Sequence, residues 1–301
     1  MKLLNTAVFA TSAAILLLAF PAIASADSYS SLIVYGDSLS DNGNLYGATG
    51  NPASPPYYNG RFSNGPVAVE QLAGLLGSPL YDFAWGGATS GIGNYGDGGT
   101  QTTSGAFGLP GMIPELIGSG PVLSTLNVPN SLFIVWGGAN DFLTSGTPLQ
   151  AAEDIDFIVS SLQSDGATHI LVPGIPDLGL TPDYYGDAAA TAYSEEFNLL
   201  LQASLPTGAT YVDTFNLMHQ IESNPAAYGL TDVTDPCLNG ASVCSNPNQY
   251  LFWDGFHPTT AADSILAEQF DEAATPEPSS ILLLGTGIAG LASLLRRRRA
   301  A

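Results

Sequence analysis

The chain has 301 residues, and its 27 acidic side chains outnumber its six basic ones, which gives a formal net charge of −21 at pH 7. A surface with this excess of negative charge repels nucleic acid and anionic headgroups, so neither is an expected partner. The length fits one α/β domain of ordinary size between two terminal targeting segments.

The first 26 residues have the pattern of a secretory signal peptide. Lys2 gives a positive start, an uncharged and mostly apolar stretch runs to Ile23, and Ala24–Ala26 supplies the small residues that signal peptidase reads. We therefore expect signal peptidase to remove residues 1–26. A retained transmembrane anchor is the alternative.

Short apolar runs rich in β-branched residues alternate with helical patterns through the central part of the chain. Such alternation predicts a parallel sheet with helices on both faces, and we expect a three-layer α/β/α sandwich with a flavodoxin-like sheet. The predicted strands are Ser31–Tyr35, Leu80–Ala84, Leu132–Trp136, His169–Val172 and Thr210–Asp213. The predicted helices are Pro66–Leu76, Leu149–Gln163, Ala188–Ala203 and Thr260–Phe270.

Small, polar, turn-forming segments follow the first three predicted strands, namely Gly36–Asp41, Trp85–Thr89 and Gly137–Asp141. Ligands of parallel α/β sheets bind outside the carboxyl ends of the strands. We therefore expect the three segments to converge at one edge of the sheet and to form an active site there. Residues 86–108 contain nine glycines and are predicted to form a long loop.

The three histidines differ in what surrounds them. A serine hydroxyl becomes a good nucleophile when a nearby base accepts its proton, and histidine is the usual base near neutral pH. His169 begins an apolar strand and His219 lies in a helix-like stretch, so structural roles are expected for both. His257 follows Asp254 by three residues in a loop, a spacing that lets the carboxylate orient the imidazole. The alternative is a capping aspartate beside an unrelated histidine.

Cys237 and Cys244 are the two cysteines of the chain. In an exported protein, a pair this close indicates a disulfide that closes a small loop. The spacing of seven and the lack of a nearby histidine argue against zinc, and no metal site or cofactor is predicted.

The last 26 residues consist of three parts in a fixed order. Pro276-Glu277-Pro278 precedes an uncharged run, Ser279–Leu295, and four arginines follow at 296–299. The run is just long enough for a short transmembrane helix, with the arginines on the cytoplasmic side. Residues 276–301 closely resemble the PEP-CTERM sorting tail of Gram-negative surface proteins, which implies removal by an exosortase-type protease. The protein would then lie at the cell surface or in the extracellular matrix. A permanent inner-membrane anchor, with the domain facing the periplasm, is the alternative.

Five blocks between the terminal segments resemble, in order, those of the GDSL or SGNH hydrolases. They are GDSLSD at Gly36–Asp41, GRFSNGP at Gly60–Pro66, FAWGGAT at Phe83–Thr89, GGAND at Gly137–Asp141 and WDGFHPT at Trp253–Thr259. The block at Gly60–Pro66 looks like one of the lipase and phospholipase-like branch. The resemblance runs from Ile33 to Thr260 and implies an SGNH hydrolase domain over residues 27–275.

The resemblance implies a role for each matching residue. Ser38 would attack the ester carbonyl, His257 would shuttle the proton, and Asp254 would hold the imidazole. The backbone N–H groups of Ser38 and Gly87, with the side-chain amide of Asn140, would bind the oxyanion.

Some neighbouring residues leave alternatives open. Gly86 competes with Gly87 for the oxyanion role, and the sequence does not decide between them. Asp37 and Asp41 are expected to cap the turn and the following helix. Arg61 is the one basic residue between the terminal segments. We expect it in a structural ion pair, and contact with an anionic substrate group is the alternative.

The expected function is hydrolysis of carboxylic esters by a Ser-His-Asp triad, without metal or cofactor. The lipase-like blocks favour acyl-lipid or short-chain esters as substrates. A polysaccharide O-acetyl esterase acting on acetylated glycan is one alternative, and a non-catalytic surface-matrix protein that binds glycan is another. The complete set of serine, glycine, asparagine and histidine favours an enzyme.

Overall fold

A five-stranded parallel sheet organises the structure, a computed structural model that describes residues 29–275. The strands are β1 (Leu32–Gly36), β2 (Leu80–Asp82), β3 (Leu132–Trp136), β4 (His169–Pro173) and β5 (Ala209–Val212). They lie in the order β2-β1-β3-β4-β5, and all neighbouring strands pair in parallel. This is the flavodoxin-like order, so the predicted fold class is confirmed.

Helices cover both faces of the sheet and complete the three layers. They are α1 (Asn44–Thr49), α2 (Ala68–Leu76), α3 (Met112–Leu123), α4 (Ala139–Leu143), α5 (Pro148–Ser164), α6 (Ala188–Ser204), α7 (Thr214–Ser223) and α8 (Thr260–Ala274). Ile33 and Tyr35 of β1 pack with α3, α5 and α6, whereas Leu32 and Val34 pack with α2 and α8. Because both faces of the sheet are buried, its central strands are continuous apolar runs.

Helix α3 is absent from the predicted helices. Its twelve residues include two prolines and two glycines, which lower the helix propensity of the segment. Tertiary contacts outweigh this preference, because Met112 and Leu123 are buried in the core. The Ser119 hydroxyl also shares a buried hydrogen bond of 2.8 Å with the hydroxyl of Tyr35.

Two small paired elements precede α8. Strand β6 (Asp232–Pro236) pairs with β9 (Tyr250–Phe252), and β7 (Leu238–Asn239) forms a hairpin with β8 (Ser242–Val243). Cys237 and Cys244 form a disulfide across this hairpin, as predicted. Trp253 packs against Cys237 and Leu238. The bridged hairpin therefore supports the chain directly before Asp254.

Within residues 29–275, no helix is long and apolar enough to cross a bilayer. The predicted signal peptide at residues 1–26 lies outside the described residues. The predicted tail at residues 276–301, with its short transmembrane helix, lies outside them as well.

Candidate active site

Ser38 lies in the turn that follows β1, at the carboxyl edge of the sheet. Gly36 ends the strand, and a Cβ there would lie 2.4 Å from the carbonyl oxygen of Trp136 on β3, so the close pairing requires glycine. The carbonyl oxygen of Asp37 accepts the N–H of Ser40 at 3.0 Å and closes the turn. The serine is thus presented by a rigid connection from a buried strand.

A continuous line of hydrogen bonds joins Ser38, His257 and Asp254. Nε2 of His257 lies 2.8 Å from Oγ of Ser38, and Nδ1 lies 2.9 Å from each carboxylate oxygen of Asp254. Oδ1 of Asp254 also accepts the backbone N–H groups of Phe256 at 2.8 Å and His257 at 2.7 Å. The loop before α8 therefore holds its aspartate and histidine in direct contact.

The surroundings of the Asp254 carboxylate favour its ionised form. Burial by itself raises its pKa, but the charge of His257 and the hydrogen bonds from His257 and Phe256 outweigh burial and lower the pKa to about 2. An ionised partner at Nδ1 favours the imidazole tautomer that carries its proton there. Nε2 is then free to accept the hydroxyl proton of Ser38.

The two adjacent glycines after β2 differ in the use of their N–H groups. The N–H of Gly86 donates to Oδ2 of Asp41 at 2.7 Å. The N–H groups of Gly87 and Ser38 have no acceptor within residues 29–275. Gly87 has a φ of +83°, and a Cβ there would lie 2.5 Å from Oδ1 of Asn94, so this position requires glycine. Of the two glycines, only Gly87 therefore has its N–H available in the described part of the chain.

Asn140 lies in the first turn of α4, directly after β3, and is 5% exposed. Its Nδ2 donates to the carbonyl oxygen of Ala88 at 3.0 Å and to Oδ2 of Asp37 at 3.3 Å. Burial raises the pKa of Asp37 to about 6, although the N–H of Leu39 and the charge of His257 act to lower it. The segments that follow β1, β2 and β3 thus meet at one edge of the sheet.

An open cleft of about 380 Å³ lies over Ser38 and His257. Among residues 29–275, its wall carries one carboxylate, that of Asp183, and no lysine or arginine. The aromatic residues that line it are Phe62, Tyr95, Tyr184 and Phe256. Arg61 instead forms an ion pair with Glu70 at 2.6 Å, which is the structural role expected for it. The cleft therefore presents largely aromatic and apolar surface beside Ser38 and His257.

Two aromatic residues that the sequence patterns did not single out contact these side chains. The hydroxyl of Tyr57 donates to Oδ2 of Asp254 at 2.7 Å. The ring of Phe62 lies 4.7 Å from the ring of His257. Phe62 belongs to the block at Gly60–Pro66, so the family resemblance could have pointed to it as a site residue. Tyr57 precedes that block in an irregular stretch, and no sequence pattern marks it as a site residue.

The other two histidines contact other parts of the fold. His169 packs edge-on against Tyr29, with ring centroids 5.3 Å apart. Nε2 of His219 lies 3.1 Å from Oδ2 of the buried Asp177. Among residues 29–275, no cluster of three or more His, Cys, Asp or Glu side chains is arranged to hold a metal ion.

Comparison with known proteins gives matches along most of the chain. Residues 32–270 match the family described as GDSL-like Lipase/Acylhydrolase, and residues 274–299 match the PEP-CTERM protein-sorting motif. The chain is 28% identical to a phosphatidylcholine-sterol acyltransferase of Aeromonas hydrophila, over 80% of this chain and 89% of that protein. It is also 28% identical to a GDSL esterase/lipase of Arabidopsis thaliana, over 79% of this chain and 80% of that protein.

Solved structures resemble the chain in fold. A member of the lipolytic protein G-D-S-L family from Veillonella parvula superposes with a TM-score of 0.51 at 14% identity, over 82% of this chain and 99% of that one. A catalytic mutant of an acetylxylan esterase from Geobacillus stearothermophilus superposes with a TM-score of 0.50 at 14% identity, over 82% and 95% of the two chains. At this identity the likeness concerns the fold alone.

Proposed function

The chain belongs to the GDSL lipase/acylhydrolase family, and from that premise we propose that it is a serine carboxylic ester hydrolase. Membership of the family makes it a hydrolase of ester bonds, and the residue roles are our proposal. Ser38 is the nucleophile, His257 the general base and acid, and Asp254 the residue that orients His257. One observation carries the proposal, namely the line of hydrogen bonds of 2.8 and 2.9 Å from Ser38 through His257 to Asp254.

The chemistry proceeds in two halves. Oγ of Ser38 attacks the ester carbonyl carbon while Nε2 of His257 accepts the hydroxyl proton. The tetrahedral intermediate collapses when the bond to the alcohol oxygen breaks and His257 returns the proton to that oxygen. Water then attacks the acyl-enzyme and gives a proton to His257, which passes it to the departing Oγ of Ser38. The products are the free acid and the alcohol.

Three donors are proposed for the oxyanion of the tetrahedral intermediate. The N–H groups of Ser38 and Gly87 supply two, since neither has an acceptor among the described residues. The amide of Asn140 supplies the third. Its 3.3 Å bond to Asp37 is longer than its 3.0 Å bond to Ala88, so we expect the oxyanion to replace Asp37 as the acceptor of that hydrogen. Loss of one such donor costs on the order of 100-fold or more in rate.

Acyl-lipid or short-chain esters without charged groups are the substrates that we propose first. The cleft offers aromatic and apolar surface, and the described part of the chain places no lysine or arginine in it for an anionic group. An O-acetyl group on a polysaccharide is the second candidate. The surface-sorting motif at residues 274–299 supports it, and so does the ring of Tyr95, which lines the cleft and is 53% exposed.

The PEP-CTERM motif indicates export and a surface or extracellular location. We propose that residues 1–26 are a signal peptide, residues 27–275 the hydrolase domain and residues 276–301 the sorting tail. Signal peptidase and an exosortase-type protease are then the processing partners. A retained tail would instead anchor a periplasmic enzyme in the inner membrane.

The proposed function is tested with a panel of p-nitrophenyl esters of increasing chain length and with acetylated xylan. Ser38→Ala should lose at least about 1,000-fold in kcat and remain folded. Ser40→Ala is the matched control, because Ser40 is fully buried and its hydroxyl has no hydrogen-bond partner within residues 29–275. Turnover by Ser38→Ala at the wild-type rate would refute the proposal. A folded wild-type protein that binds glycan and hydrolyses no ester would support the matrix-protein alternative.

A further inference from the structure

Residues 51–65 form an irregular segment that lies against the proposed triad. The half-buried Tyr57 donates its hydroxyl hydrogen to Oδ2 of Asp254 at 2.7 Å. The segment is also fixed independently of this bond, since Oγ of Ser63 donates to the carbonyl oxygen of Pro258 at 3.0 Å. Removal of the Tyr57 hydroxyl therefore leaves the segment attached to the loop before α8.

The ring of Tyr57 is held by aromatic neighbours on two sides. It makes edge-on contacts with Phe62 and Trp253, with ring centroids 6.0 and 6.4 Å away. Phe62 in turn packs on the ring of His257. Because the ring is already ordered by packing, the hydroxyl reaches Asp254 with little further loss of side-chain entropy.

Tyr57 completes the hydrogen bonding of the Asp254 carboxylate. Oδ1 accepts two backbone N–H groups, whereas Oδ2 accepts the Tyr57 hydroxyl, and Nδ1 of His257 lies equally close to both oxygens. Burial and the negative charge of Asp254 raise the pKa of Tyr57. The phenol therefore stays protonated near neutral pH and can donate to the carboxylate.

We propose that Tyr57 is a positioning residue of the active site, whose hydroxyl holds the Asp254 carboxylate against His257 and limits its attraction for the imidazole proton. The inference rests on the proposed function, because Tyr57 acts through the orienting aspartate. A donor at Oδ2 takes up part of the negative charge that His257 would otherwise experience. Without it, that charge stabilises the protonated imidazole, a form that cannot accept the proton of Ser38.

Two other carboxyl groups face the pair of Asp254 and His257. Asp37 lies in the turn after β1, where burial raises its pKa and the charge of His257 lowers it. Asp183 lines the cleft, and its charge acts on Tyr57. Both groups are identical in all variants described below. A difference between those variants therefore reports on the Tyr57 hydroxyl.

The test compares Tyr57→Phe with Tyr58→Phe in the purified protein, with a p-nitrophenyl ester as substrate. Tyr58 is the matched control, because it is exposed and its hydroxyl makes no hydrogen bond within residues 29–275. For Tyr57→Phe we expect kcat to fall about tenfold, because the base is less well placed. The acidic limb of the kcat/KM profile should move about 0.5 to 1 unit toward higher pH. KM should change little, since Tyr57 does not line the cleft.

A stronger donor at the same position should have the opposite effect on the pH profile. Replacement of Tyr57 by 3-fluorotyrosine keeps the ring and makes the hydroxyl more acidic, so the acidic limb should move toward lower pH. This second measurement separates the proposal from a role of Tyr57 in packing alone. If Tyr57 served only to pack, neither variant would shift the pH profile. Thermal unfolding verifies that each variant is folded.

An acidic limb that stays in place in both Tyr57 variants would overturn the inference. So would a Tyr58→Phe variant with the same defect as Tyr57→Phe. Failure of the proposed function is a different result, because it appears as activity that survives Ser38→Ala. Loss of activity in Ser38→Ala together with unchanged Tyr57 variants would remove the inference and leave the proposed function intact.

Discussion

Asp41 offers the sharpest test of how the turn after β1 supports the proposed oxyanion site. The side chain is fully buried and accepts four backbone N–H groups. Oδ1 accepts those of Gly43 at 2.7 Å and Asn44 at 2.6 Å, and Oδ2 accepts those of Leu45 at 3.1 Å and Gly86 at 2.7 Å. Asp41 therefore ties the start of α1 to the glycine that precedes Gly87.

The change Asp41→Asn keeps one acceptor oxygen and replaces the other by an NH₂ group. Two of the four N–H groups then lose their acceptor and face a donor, and each such loss costs about 1–3 kcal/mol when buried. We expect the free energy of unfolding to fall by about 2–4 kcal/mol, which a domain of ordinary stability survives. If the amide faces Gly86, Gly87 is no longer fixed, and kcat should fall about 10- to 100-fold.

The assay combines urea unfolding with ester hydrolysis at a saturating substrate concentration. Asp97→Asn is the matched control. The N–H groups of Phe107 and Leu109 both donate to the same oxygen of the Asp97 side chain. An amide can keep both bonds, so this variant should lose less stability than Asp41→Asn and keep the wild-type kcat. An Asp41→Asn protein with wild-type stability and kcat would refute the reasoning.

Four further predictions follow from charge and processing. Because the imidazole of His257 must be neutral to accept a proton, kcat/KM should fall on acidification, and a His257→Ala variant with full activity would require another base. Burial raises the pKa of Asp37 to about 6 and that of Asp141 to about 7, so both carboxyls bind protons more readily in the folded state than in the unfolded chain. The free energy of unfolding should therefore rise by about 2–4 kcal/mol from pH 8 to pH 5 in urea titrations. It should fall again below about pH 4, because the pKa of Asp254 is lowered to about 2 and its stabilising charge is lost there. Residues 27–275 carry 26 acidic side chains against one arginine, about −25 in net charge, so the folded domain repels itself. Added NaCl screens this repulsion and should raise Tm by a few degrees, and an unchanged Tm would argue against self-repulsion. Intact mass of protein from a native host should lack residues 1–26 and the tail, and a mass that includes 296–299 would mean a retained anchor.

The centre of the sheet could be predicted from the sequence because strands β1, β3 and β4 are buried on both faces. Leu132–Trp136 and His169–Val172 are apolar runs bounded by polar or turn-forming residues, and the observed strands differ from them by at most one residue. Helix α3 could not be predicted in the same way. Its prolines and glycines give the segment a low helix propensity, and the helix depends on contacts with distant residues, such as the hydrogen bond between Ser119 and Tyr35.

Some residues of the candidate site could likewise be predicted from the sequence, and others could not. His257 follows Asp254 at a short spacing, and Gly36–Asp41 resembles the nucleophile block of a known family, so the sequence was enough to propose His257 and Ser38. The different uses of the Gly86 and Gly87 N–H groups depend on Asp41, which is 45 residues from Gly86 along the chain. No local pattern encodes such a contact.

Reaction with a serine-directed phosphonate tests the central claim most directly, because it reads the nucleophile itself. The wild-type protein and Ser40→Ala should each gain the mass of one phosphonyl group, with the modified peptide containing Ser38. Ser38→Ala should gain none and should also be inactive on the ester panel. A phosphonyl group on any other residue, or labelling of Ser38→Ala at the wild-type rate, would contradict the assignment of Ser38 as the nucleophile.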